Sequence, residues 1–158
     1  MKAAGISEIK KELNELPNHL VIDLCLRMAK YKKENKELLN YLLFEAGNET
    51  QYVENVKAET DLQFAEINKS TIYFAKKGLR KILRMVNKHI KFSGNKKTEA
   101  EVLIYYCYKL QNSGIRYKTY PILLNIYERQ IIKIKKALST MHPDLQYDYE
   151  KELEELEN

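Results

Sequence analysis

The positions of proline and glycine constrain this 158-residue chain more than any other feature. Both residue types are scarce, and most of them flank stretches with apolar residues at helical spacing. Three prolines open such stretches: Pro17, Pro121 and Pro143. Three of the five glycines close them: Gly47, Gly94 and Gly114. Proline is tolerated in a first helical turn and glycine is preferred just past a last one, so this pattern predicts consecutive helices.

Apolar residues three and four positions apart predict seven or eight helices, and no stretch alternates long enough to form a strand. The expected helices cover approximately residues 6–16, 18–32, 35–46, 53–67, 70–92, 98–114, 121–138 and 145–156. Thr98 and Glu101 have the spacing of a capping box that would open the sixth helix. Gly78 lies inside the fifth, where it would mark close helix packing.

The predicted fold class is all-α. Residues 18–32 and 35–46 are apolar around most of the helix, so we expect both helices to be buried, as in a layered stack. One domain over residues 1–158, arranged as an α–α superhelix of HEAT-like units, is therefore expected, with an up-and-down bundle as the alternative. The acidic helix at 143–158 could be peripheral to that domain.

One segment resembles a known class of repeat. It is LPNHLVIDLCLRMAKYKKENKELLNYLLFEAG, about a fifth of the chain. This segment is similar to the two-helix unit of HEAT/armadillo-type α–α superhelices, in particular from small bacterial helical proteins. The resemblance implies a curved helical scaffold whose relatives bind proteins or nucleic acids, and it transfers no catalytic residue.

Sequence signatures of catalysis are absent. The chain has no G-x-G-x-x-G, P-loop or G-x-S-x-G motif, and His19, His89 and His142 lack the spacing of a helical metal site. Cys25 and Cys107 lie on apolar helices, so we expect inert core thiols. We therefore predict a protein that is not an enzyme, with no catalytic residue, metal site or cofactor.

The number of cysteines predicts a cytoplasmic protein, and the hydropathy bears on a membrane partner. Two cysteines are too few for a disulfide framework and fit a reducing cytoplasm. No apolar run approaches the roughly 20 residues that span a bilayer. An anionic membrane surface is not expected as a partner either, because the apolar face of the fifth helix is better explained as core than as a lipid-inserting face.

Tyrosines accompany cations near the seventh helix. Tyr117, Tyr120 and Tyr127 lie beside Arg116 and Lys118, a mixture that can stack bases of single-stranded nucleic acid. The alternative, which we favour, is that these rings belong to the core or its boundary.

Charge is divided unevenly along the chain. The formal net charge is +5, yet residues 61–140 hold seventeen Lys and Arg against five Asp and Glu, whereas residues 141–158 hold one against seven. No acidic residue occurs between Glu66 and Glu99. At 100° per residue, six cations of the fifth helix share one face, here termed the basic ridge: Lys77, Arg80, Lys81, Arg84, Lys88 and Lys91.

The basic ridge is the candidate binding site. The expected function is a non-catalytic interaction scaffold that binds a protein or peptide with an acidic surface. The alternative is a nucleic-acid-binding accessory protein whose ridge contacts phosphates. Two further possibilities stay open: the acidic tail could cover the ridge, or the ridge could be merely solvated. Nothing in the sequence decides the oligomeric state.

Overall fold

The computed structural model describes residues 2–158, and this range contains eight α-helices and no β-strand. The prediction of an all-α chain with seven or eight helices is confirmed. The helices are α1 (Ile6–Glu15), α2 (Asn18–Tyr31), α3 (Lys33–Asn40), α4 (Glu49–Ala65), α5 (Ile72–Ser93), α6 (Lys96–Gln111), α7 (Pro121–Ser139) and α8 (Pro143–Glu157). A π-helical turn, Tyr41–Glu45, extends α3, and a 3-10 turn, Tyr117–Thr119, precedes α7.

Helix boundaries follow the proline and glycine pattern. Pro121 and Pro143 occupy first-turn positions of α7 and α8, and Pro17 immediately precedes α2. Gly94 ends α5 with φ +65°, a left-handed conformation that glycine adopts without steric cost. The capping-box prediction for α6 is wrong. The helix begins two residues earlier, at Lys96, because the side chain of Asn95 accepts the backbone N–H of Lys97 at 2.9 Å.

Contacts divide the chain into two compact units, one ending at Phe44 and the other beginning at Glu45. In the first unit α2 packs against α3, and Asn35 Nδ2 donates to the carbonyl of Met28 at 2.9 Å. No side chain of α1, α2 or α3 is buried. The burial expected for residues 18–32 is therefore wrong. In the stretch 35–46, Tyr41 is buried but Leu42, Leu43 and Phe44 are exposed.

The second unit has its core around α6. This helix packs against α4, α5, α7 and α8, and eight of its sixteen residues are buried. They are Thr98, Ala100, Val102, Leu103, Ile104, Tyr106, Cys107 and Leu110. Both α6 and α7 are apolar along most of their length, which is why they pack against each other so extensively.

Gly78 marks a close approach, as its position within a helix predicted. A Cβ atom added there would lie 3.0 Å from Cγ1 of Ile67, in the segment that connects α4 to α5. The missing side chain therefore lets this connection lie directly against α5.

No helix formed by residues 2–158 combines the length and the apolar character that crossing a membrane would require. Arrangement as HEAT-like units, and the single domain over residues 1–158, stay predictions.

Candidate functional site

Helix α5 holds the basic ridge on the side opposite its core contacts. Its buried residues are Ala75, Leu79, Ile82, Met85, Val86 and Phe92. Five ridge cations are exposed, namely Lys77, Arg80, Lys81, Arg84 and Lys91, and Lys88 is half-buried. The Thr71 hydroxyl accepts the backbone N–H of Phe74 and Gly94 ends the helix, so α5 presents the whole ridge on one uninterrupted element of 22 residues.

A shallow groove runs along the ridge. It has a volume of about 600 Å³, and its lining consists of Tyr73, Lys76, Lys77, Arg80, Leu83 and Arg84. Tyr73 is 60% exposed, and the amine of Lys76 lies 5.8 Å from the centre of its ring. The groove thus combines four cations with one accessible aromatic ring and one partly buried leucine.

A second row of cations, which the sequence analysis missed, lies on α7. Arg129, Lys133 and Lys136 follow one another at intervals of four and three residues, so they share one side of that helix, and all three are exposed. Nζ of Lys133 donates to Oδ1 of Asn87 on α5 at 3.2 Å. Their spacing was visible in the sequence, but only the fold shows that this row lies beside α5.

The acidic helix α8 packs against α6 and α7. Tyr149 and Leu156 are its buried side chains. The hydroxyl of Tyr127 and the side-chain amide of Gln111 both donate to the carbonyl of Leu156, at 2.6 and 3.1 Å.

The ion pair from α8 to the neighbouring helices joins Glu157 to Lys135 on α7. The structure therefore does not place α8 as a cover over Arg80 and Arg84, and these guanidinium groups are exposed.

The two cysteines differ in exposure. Cys107 is fully buried on α6, and this burial raises the pKa of its thiol well above the usual range. Cys25 is exposed on α2, so the prediction that it belongs to the core is wrong.

The histidines do not assemble into a metal site. No group of three or more His, Cys, Asp or Glu side chains within residues 2–158 is arranged to hold an ion. His89 instead lies between α4 side chains, with Nδ1 2.7 Å from the hydroxyl of Tyr52 and Nε2 3.4 Å from Glu59.

Two of the three tyrosines near α7, Tyr117 and Tyr127, belong to the core and Tyr120 is half-buried at its boundary, as the favoured interpretation held. Tyr117 and Tyr127 are both 5% exposed, and their ring centres lie 4.7 Å apart. Burial raises the pKa of each hydroxyl. Rings in this position are inaccessible to bases, so the stacking surface considered at Tyr117 and Tyr127 is not present.

No protein-family model, curated protein or solved structure matches this chain. The functional interpretation therefore rests on the chemistry of the surface.

Proposed function

We propose that this chain is a non-catalytic interaction protein that binds an acidic partner through the basic ridge of α5. The observation that carries the proposal is the exposure of Lys77, Arg80, Lys81, Arg84 and Lys91 on a helix without a single acidic residue. Like charges four positions apart disfavour a helix, and four such pairs occur on α5: 76/80, 77/81, 80/84 and 84/88. A partner that supplies negative charge would relieve this repulsion.

An acidic protein or peptide is the first candidate for that partner. The groove beside the ridge offers Tyr73 and Leu83 between cations, and protein interfaces combine aromatic contacts with arginine. The resemblance to scaffold repeats points in the same direction.

Nucleic acid is the second candidate, and the proportion of lysine favours it. The ridge has four lysines and two arginines, and lysine is depleted at protein interfaces but common at phosphates. We place this chain, and therefore either partner, in the cytoplasm, because its two cysteines fit a reducing compartment.

The test is affinity purification from the native cell with three versions of the full chain. They are the wild type, the ridge variant Lys77→Gln/Arg80→Gln/Arg84→Gln, and the control Lys10→Gln/Lys11→Gln/Arg27→Gln. The control removes the same number of exposed cations from α1 and α2.

We expect the wild type and the control to retain one partner that the ridge variant loses. Nuclease treatment separates the two candidates, because only a nucleic-acid partner disappears with it. Equal retention by all three proteins would contradict the proposal.

A further inference from the structure

We propose that α5 and α7 form one surface that binds the phosphate backbone of nucleic acid. This inference rests on the proposed function and names its partner. The surface, here termed the two-helix basic face, consists of Lys76, Lys77, Arg80, Arg84 and Lys91 on α5 with Arg129, Lys133 and Lys136 on α7.

The relative direction of the two helices places their cations side by side. Ile72 and Ala75, in the first turn of α5, line the same pocket as Leu123 in the first turn of α7. Further along, Asn87 on α5 accepts a hydrogen bond from Lys133 on α7 at 3.2 Å. The shared pocket and the hydrogen bond follow one another in the same order along both helices, which indicates that α5 and α7 run in the same direction.

The Asn87–Lys133 hydrogen bond also fixes which sides of the helices face each other. At 100° per residue, Asn87 lies within about 60° of Arg80, Arg84 and Lys91 around α5. The same count puts Lys133 within about 60° of Arg129 and Lys136 around α7. The two rows of cations therefore border one surface on either side of the hydrogen bond.

Neither helix contributes an acidic side chain to this surface. Helix α5 has none, and the single acid of α7, Glu128, lines a different pocket together with Lys135 and Glu157, on the side where α8 packs. The tail therefore pairs with the opposite edge of α7 and leaves Arg129 and Lys136 exposed.

The composition of the two-helix basic face favours phosphate over an acidic protein. Five of its eight cations are lysines, a residue that protein interfaces exclude from their centres. Phosphate contacts need only cations within reach of the backbone, and each contact releases a condensed counterion.

One side chain could distinguish single strands from duplexes. The exposed ring of Tyr73 lies in the groove beside Lys76, where an unpaired base could stack on it. A duplex would engage only the cations.

The experiment measures fluorescence anisotropy of a labelled DNA duplex, a labelled single strand and labelled poly-L-glutamate over a salt series. Three full-length variants are compared with the wild type: Arg129→Gln/Lys133→Gln/Lys136→Gln on α7, Lys77→Gln/Arg80→Gln/Arg84→Gln on α5, and the control Lys10→Gln/Lys11→Gln/Arg27→Gln. A fourth, Arg129→Gln/Lys136→Gln, keeps the Asn87 contact. Within residues 2–158 the two side chains that it changes form no hydrogen bond or ion pair, so this variant tests the face with little effect on the fold.

We expect the wild type to bind DNA with affinity that falls steeply with salt. Each triple variant of α5 or α7 should flatten the log–log slope on duplex DNA by about two to three, and Arg129→Gln/Lys136→Gln by about two. The control should keep the wild-type slope. Tyr73→Ala should weaken single-strand binding by about fivefold or more if a base stacks there. Equal single-strand binding by wild type and Tyr73→Ala would show that the protein contacts the phosphate backbone alone.

Three results would overturn the inference. An unchanged salt dependence of DNA affinity in both α7 variants would show that α7 does not contact the nucleic acid. Binding of poly-L-glutamate without DNA would leave the proposed function standing with a protein partner. Binding of neither polyanion would remove the proposed function as well.

Discussion

The hydroxyl of Tyr105 on α6 lies 2.8 Å from both carboxylate oxygens of Asp61 on α4. Lys109, one turn further along α6, contacts the same carboxylate at 2.9 Å. Burial alone would raise the pKa of Asp61, but the hydrogen bonds from Lys109 and Tyr105 and the charge of Lys109 lower it overall. Burial and Asp61 together raise the pKa of Tyr105 to about 12.

The lowered pKa of Asp61 predicts a loss of stability in acid. A carboxyl with a lower pKa in the folded state stabilises the fold above its unfolded pKa, and this contribution disappears as the pH falls through the folded pKa. We expect Asp61→Asn to reduce the urea midpoint at about pH 6 and to differ less from the wild type at about pH 2.5. If the urea midpoints of Asp61→Asn and the wild type differ equally at both pH values, the charge of the Asp61 carboxylate does not contribute to stability.

Docking of α8 provides a second prediction. Leu156→Ala should lower the free energy of unfolding by about 2 kcal/mol, because this side chain is 5% exposed. Tyr147→Ala, on the exposed side of the same helix, should change stability little. Urea denaturation checks both variants.

The same pair of variants tests whether α8 covers the ridge. Glu157 is the acid of α8 that pairs with a neighbouring helix, and it contacts Lys135, which is not a ridge cation. At physiological salt, charges are screened beyond roughly 8 Å. Loosening α8 by Leu156→Ala should therefore change the affinity for heparin by less than about threefold. A tenfold increase in Leu156→Ala would mean that the tail covers the ridge in solution.

The exposures of the two cysteines predict biphasic thiol modification. Under native conditions one equivalent of a thiol reagent should react rapidly at Cys25, and Cys107 should react only as the fold opens. Cys25→Ser should abolish the rapid phase and Cys107→Ser should keep it. Rapid loss of both thiols in the wild type would contradict the burial of Cys107.

Close packing at Gly78 predicts an energetic coupling with Ile67. Alanine favours a helix over glycine by about 1 kcal/mol, but its Cβ would lie 3.0 Å from Ile67. We expect Gly78→Ala to stabilise the protein more in an Ile67→Ala background than in the wild type, by about 1 kcal/mol in a double-mutant cycle. Additive effects would show that the Ile67 side chain moves away at no cost.

Features coded locally were predictable from the sequence. The starts of α7 and α8 at Pro121 and Pro143 and the end of α5 at Gly94 depend on the backbone chemistry of single residues. All three boundaries lie where the sequence predicted them. The start of α6 was misplaced because Asn95 and Thr98 are both good capping residues, and their spacing does not show which one is used.

Features that depend on tertiary neighbours were less predictable. The sequence of α2 shows that it is apolar but not whether other helices cover it, and within the first unit only α3 packs against it to an appreciable extent. The row Arg129, Lys133 and Lys136 gains its significance from Asn87, more than 40 residues away in sequence. Periodicity within one helix contains no information about which helix lies beside it.

The enclosed position of α6 has a consequence for isotope exchange. Four helices surround it, so its middle amides meet solvent only when several of those helices separate at once. Deuterium uptake at Leu103 through Cys107 would therefore follow the unfolding of the whole second unit, whereas uptake near the ends of α8 would follow local fraying. The slowest amides of α6 thus provide a direct measure of global stability under conditions in which the protein remains folded.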